Sequence, residues 1–273
     1  MGIVGGILRY LRLYGSLGMY TLSRELAFRG NFLVKVSVEV IWLGILLAFY
    51  RVVFARTSTI ADWNESQYLF FVGCFFAING LIEMLFLENC NEFAELVRTG
   101  DLDGLLLKPI DEQFLITCRR VDWGTAPNVL MGAVVMGIAL NTMGWPVSFL
   151  KVAAFLVTFV CGTAIAYAFM LMLTSVSVWM VRNQSLMEMW WLFSSLARYP
   201  KEIFRGPMWA EPLGLFFTFV VPILLVSNVP ANVMVRALDG RMVGFTIAAT
   251  VFSLWASRRF FHRALRSYRS ASS

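Results

Sequence analysis

The chain has 273 residues, of which 59% are hydrophobic and 15% charged, with a net charge of +6. Soluble globular chains carry about 25% charged residues. That shortfall, with several apolar runs near spanning length, excludes a soluble domain and points to an all-α membrane protein with about six transmembrane helices.

The positive charge is not arranged for nucleic acid. It gathers at the N-terminus (Arg9, Arg12, Arg24, Arg29), in a central loop (Arg98, Lys108, Arg119, Arg120) and in the tail (Arg258, Arg259, Arg263, Arg266, Arg269), as cytoplasmic loops of membrane proteins collect Lys and Arg. Cys74, Cys90, Cys118 and Cys161 show no paired spacing, so neither a disulfide framework nor a zinc site is expected. His262 is the only histidine, which excludes a histidine-based metal site or catalytic dyad. Arg9, Arg12 and Arg24 interrupt any apolar core of a cleavable signal peptide.

In chain order, residues 1–31 set Leu8, Leu11, Tyr14 and Leu22 against the arginines, the pattern of an amphipathic helix lying on the cytoplasmic surface. The first span is Phe32 to Phe54. Its Lys35 and Glu39, four apart, share a face near the inner end, where they snorkel or pair. Residues 55–66 form an external loop with Asp62, Trp63 and Glu65. The second span, Gln67 to Leu87, carries Glu83, and Glu88, Glu92 and Glu95 continue at helical spacing as an acidic stripe, either solvated or docking a partner.

Asn91 to Asp122 is the long polar stretch between spans. Gly100 and Gly104 form turns, Lys108-Pro109 stops a helix, and Leu105, Leu106 and Leu107 lie among acidic residues. The composition predicts a short amphipathic helix at the membrane surface, offering leucines to one neighbour and charges to another. Trp123 to Leu140 is the third span, with Ala133 and Gly137 as a small-residue pair for close helix contact. Phe149 to Val181 is the fourth, about 50 Å long against a hydrocarbon core of about 30 Å.

Gln184 to Met242 has two readings. Gln184 to Leu196 is a fifth span followed by a re-entrant pair of short helices around Pro222 and Pro230; or Leu213 to Val235 is itself the fifth span, which the Lys and Arg distribution mildly prefers. Both place the central segment and the tail in the cytoplasm. The last span, Val243 to about Trp255, runs into a basic tail, 256–273.

The sequence resembles permease subunits of the ABC type-2 exporter family over nearly its whole length. The resemblance rests on Gly100-Asp101-Leu102-Asp103, Leu107-Lys108-Pro109-Ile110-Asp111-Glu112-Gln113-Phe114, Ala197-Arg198-Tyr199-Pro200-Lys201-Glu202-Ile203-Phe204, Val221-Pro222 and Asn228-Val229-Pro230-Ala231. It implies that residues 91–122 hold a coupling helix docked in a groove of a cytoplasmic ATPase, through Glu95, Arg98, Gly100, Asp101, Leu102, Asp103, Leu106, Lys108, Pro109 and Asp111. It also implies a re-entrant outer region at 198–242 marked by Tyr199, Pro200, Pro222 and Pro230. Two ATPase subunits would carry ATP and Mg, with none on this chain, and a second permease, identical or homologous, would complete an exporter in the inner cell membrane. No G-x-x-x-x-G-K-[ST] loop occurs, so the energy for pumping must come from another chain. Plentiful Phe and Met favour an amphiphilic or hydrophobic cargo. The rival is an ion- or proton-coupled transporter, for which Glu83 and Glu188 are the candidate ionisable groups.

Overall fold

A computed structural model describes residues 3–144, 148–180, 184–204, 210–236 and 238–268. Within them the chain is helical, with no strand beyond one isolated bridge between Ile60 and Trp63. The helices are α1 (Ile3–Ala27), α2 (Arg29–Phe54), α3 (Glu65–Ile82), α4 (Glu88–Thr99), α5 (Leu102–Leu106), α6 (Glu112–Thr117), α7 (Ala126–Met143), α8 (Phe149–Met180), α9 (Gln184–Leu196), α10 (Ala210–Leu215), α11 (Ile223–Val235) and α12 (Gly240–Ser267). Local chemistry sets several ends. Asn64 and Gln67 form a capping box at the start of α3, and Asp239 accepts from the Arg241 and Met242 amides at the start of α12.

Four helical stretches are long and apolar enough to cross a membrane: Arg29–Phe54, Glu65–Thr99, Trp123–Met143 and Phe149–Met180. A fifth is Ala210–Val220 with Ile223–Val235 if that bent pair is one span. The all-helical membrane architecture stands, with fewer such helices than the expected six. At 13 residues α9 reaches about 20 Å, short of a bilayer core. The apolar part of α12 is similarly brief; this helix lies along α8, where Thr250 Oγ1 is 3.4 Å from the Cys161 carbonyl. The end of the bundle carrying residues 91–122 is termed the inner end below.

The bundle packs where backbones can touch. A Cβ on Gly132 of α7 would lie 2.6 Å from both the Ala77 nitrogen and the Gly73 oxygen of α3. The face of α7 turned to α3 is therefore Asn128, Gly132, Val135 and Ala139, all buried. The expected contact through Ala133 and Gly137 is corrected. Ala133 is exposed and a Cβ on Gly137 would meet nothing within 4 Å, because that face, with Leu130, Val134 and Ile138, points away from the bundle. α11 sits against α8 at a second close crossing. Pro230 supplies no N–H to the Val226 carbonyl four residues earlier. Gly162 of α8 comes up against that freed oxygen, and any side chain there would strike it.

Two π-helical turns interrupt the long elements. Phe216–Val220 precedes an 87° bend at Val221-Pro222, after which α11 runs back through the core with all but Asn232 buried. Glu83–Leu87 joins α3 to α4 and leaves the Met84 carbonyl to accept from the Asp122 amide at 2.8 Å.

Candidate coupling segment and the polar cluster at the opposite end

The central segment is a compact protrusion. α4 stops at Gly100, whose φ of 82° is the left-handed conformation that glycine adopts without strain. One turn later α5 begins, and Leu102 is fully buried among Phe93, Val97, Ile116, Leu171 and Phe261. A turn through Lys108-Pro109 leads to Asp111, which caps α6 by accepting from the Phe114 amide at 3.0 Å. The exposed tip consists of Asp101, Gly104, Leu107, Lys108 and Pro109, with Leu107 86% exposed. Glu95 and Arg98 pair with each other on the exposed side of α4.

The residues named from sequence thus divide. Asp101, Lys108 and Pro109 face outward with Leu107, alongside the Glu95–Arg98 pair. Leu102 and half-buried Leu106 turn into the protein and fasten α5 to it, so Leu102 is an anchor rather than a contact for another chain. Asp111 also turns inward.

The base of the protrusion is tied to α1, α2, α4, α8 and α12. The Asp111 amide donates to Tyr10 Oη of α1 at 3.0 Å, and Tyr10 meets Phe114 edge-on at 4.9 Å. Arg258 of α12 pairs with Asp111 at 2.7 Å and reaches Gln113 at 3.2 Å; Gln113 in turn donates to Tyr167 of α8 at 2.8 Å. Burial alone would raise the Asp111 pKa, but the Arg258 and Phe114 hydrogen bonds outweigh it and hold the carboxyl below the ordinary aspartate range. Behind α6, buried Asn89 grips the chain like a strand, accepting from the Arg120 amide at 2.9 Å and donating to its carbonyl at 2.8 Å. Glu92 pairs with Arg119 and Arg120, and Lys35 pairs with Asp122 at 3.2 Å. Glu25 of α1 accepts from the Trp123 amide at 3.1 Å; burial and nearby Asp122 raise its pKa.

The acidic stripe therefore does not act as one face. Glu83 is buried and accepts from Asn79 at 2.6 Å, Glu88 and Glu92 are matched by arginines of the same chain, and only Glu95 looks outward. Asn89 and the pairing role of Arg119 and Arg120 were not singled out from sequence.

At the opposite end a smaller cluster closes the bundle. Buried Glu202 accepts from Trp63 Nε1 at 3.1 Å and lies 3.6 Å from Arg236 at the end of α11. The Arg236 guanidinium covers the Trp63 ring at 4.8 Å and donates to the Asp62 carbonyl at 2.7 Å, which the positive φ of Ala61 and Asp62 turns toward it. Asn228 of α11 accepts from the Lys201 amide at 2.7 Å and donates to the Tyr199 carbonyl at 3.3 Å. Pro200 is buried in this junction and Tyr199 is exposed beside it. Pro222 and Pro230 lie at the bend before α11 and within its shaft, so the four residues named for the re-entrant region are spread along it. Glu202, Asn228 and Arg236 hold the junction.

No group of three metal-ligating side chains occurs among the described residues. Glu188, the second candidate for ion coupling, is exposed.

Comparison with known proteins gives one match. The family model of the ABC-2 family transporter proteins covers residues 40–272. No curated protein and no solved structure matches the chain. The matched region runs from within α2 into the tail and includes both polar clusters except Tyr10, Glu25 and Lys35. The chain belongs to the ABC-2 family of transporter proteins, as a multi-pass membrane permease subunit of an ABC transporter rather than its ATPase.

Proposed function

We propose that this permease is driven by two separate ATPase subunits that bind ATP and Mg and seat the tip of α5 in a groove. The observation carrying this reading is the contrast within residues 91–122: an exposed tip that carries Leu107 together with Asp101 and Lys108, on a base fixed to α1, α2, α4, α8 and α12. An exposed apolar side chain on the same tip as charged ones suits a docking contact in which burial gives affinity and charge gives orientation. A base tied to several helices passes a rigid-body displacement into the bundle. The tip, both termini and the basic end of α12 lie on the cytoplasmic side of the inner membrane, in keeping with their arginines. The centre between α3, α7, α8 and α11 is filled where backbones touch. A path for an amphiphilic cargo is therefore formed with a second permease, identical or homologous, and the direction is export.

The test is purification of the tagged chain from its host in mild detergent, with mass spectrometry of what accompanies it. The expected result is an ATPase that comes with the wild type and is lost in Asp101→Lys with Leu107→Asp, while the variant keeps its helical content and thermal midpoint. A wild-type preparation free of ATPase, under conditions that preserve other complexes, overturns the reading in favour of ion-coupled transport, for which buried Glu83 is the available group.

A further inference from the structure

We propose that one face of α12 binds an acidic phospholipid of the surrounding bilayer, its phosphate among the arginines and its chain along the apolar stripe above them. The site depends on the membrane location of the chain and is independent of how the permease is driven.

Trp255, Arg258, Arg259, His262, Arg263 and Arg266 line an open groove of about 730 Å³ along α12. α12 contains no acidic residue from Gly240 to Ser267. Arg258 is engaged by Asp111, whereas Arg259, Arg263 and Arg266 form no ion pair among the described residues and are exposed. Like charges three and four residues apart on a helix repel. An anion among them relieves that repulsion, and arginine forks match phosphate oxygens.

The same face identifies the anion's carrier. Ala248, Phe252, Trp255, Arg259, His262 and Arg266 recur every three or four residues and so share a side of the helix. Phe252 and Trp255 are 66% and 62% exposed, and their rings lie 6.1 Å apart. Above them an apolar cavity of about 400 Å³ is lined by Phe169, Phe219, Phe245 and Phe252 at the Val221-Pro222 bend. Phe252 to His262 spans about 15 Å, the hydrocarbon thickness of one leaflet. A free phosphate or the acidic surface of a protein would use the arginines and leave the aromatic stripe without purpose. A phospholipid uses both, with Trp255 at the headgroup boundary where tryptophan is enriched.

The test is native mass spectrometry of the purified, delipidated assembly titrated with phosphatidylglycerol, phosphatidylcholine or inorganic phosphate. Phosphatidylglycerol is expected to bind at least about ten-fold more tightly than phosphatidylcholine. Arg259→Gln with Arg263→Gln and Arg266→Gln should abolish the preference. Phe252→Ala with Trp255→Ala should weaken both lipids. Should the triple variant fail to fold, Arg263→Gln alone must still lower the preference several-fold. An unchanged preference in the arginine variants overturns the proposal. Competition by inorganic phosphate at the lipid's own concentration overturns it in favour of a bare anion site. Loss of a protein subunit from the triple variant, with lipid preference intact, overturns it in favour of protein docking.

Discussion

The two ends of this permease solve the problem of holding polar chain against a hydrophobic bundle in opposite ways. At the inner end, Glu92 with Arg119 and Arg120, Asp111 with Arg258 and Lys35 with Asp122 spread partly exposed pairs over several helices. At the other end the pair of Glu202 with Arg236 is shielded by Trp63 and stitched to Asn228 through the backbone. Exposed pairs exchange readily with water and contribute little each. A shielded pair costs more to break because the charge left behind is largely cut off from water. Each inner pair can therefore be removed at small cost while its neighbours keep the segment in place, whereas the opposite cluster depends on one pair to hold α11 to its neighbouring loops.

The sharpest way to break this comparison is Glu202→Gln. Removing the carboxylate beneath Arg236 is expected to cost about 3 kcal/mol, read as a lowered thermal midpoint in detergent. If it behaves like an inner-end pair, the distinction between the ends fails. Gly162→Ala probes the scaffold between them. With the Val226 carbonyl in the way, α8 and α11 must separate, at about 2 kcal/mol.

Asp111→Asn keeps the helix cap, because the amide oxygen also accepts from the Phe114 N–H, and loses the pair with half-exposed Arg258 at up to about 1 kcal/mol. Its folded pKa lies below the ordinary range, so its stabilisation is present above that range and disappears as pH falls through the folded value. The difference in midpoint between wild type and variant should accordingly shrink on acidification; a difference that grows would show that Arg258 is not its partner. The smallest effect should come from Gly137→Ala, which meets open space and is expected to stabilise by about 0.5 kcal/mol through helix propensity. A large loss there would mean that this outward face contacts something in the assembly.

Much of this was legible because membrane spans announce themselves by composition. The polar stretch at 91–122 stood out against its surroundings for the same reason, and its glycines and proline do mark its turns. The wrong face of α7 was chosen because a helix apolar on all sides has no periodicity to show which side packs, and Gly132 and Gly137 differ only in what stands opposite. Asn89 resembles any polar residue on a helix leaving the bilayer; its role exists only because Arg120 returns to it. Glu202 and Arg236, well apart in sequence and flanking prolines, likewise meet only in three dimensions.

The π turn at Glu83–Leu87 has a further consequence for how the chain tolerates changes in length. Such a turn holds one residue more than the register of the helix on either side requires. Deleting one of Met84 to Leu87 lets the helix close to α geometry while Phe75 above and Glu92 below keep their present directions. Deleting a residue in any other turn between Glu65 and Thr99 swings the inner half by about 100° and carries Glu92 and Asn89 away from Arg120. The long second span thus contains one expansion joint, placed where the inner segment docks onto it.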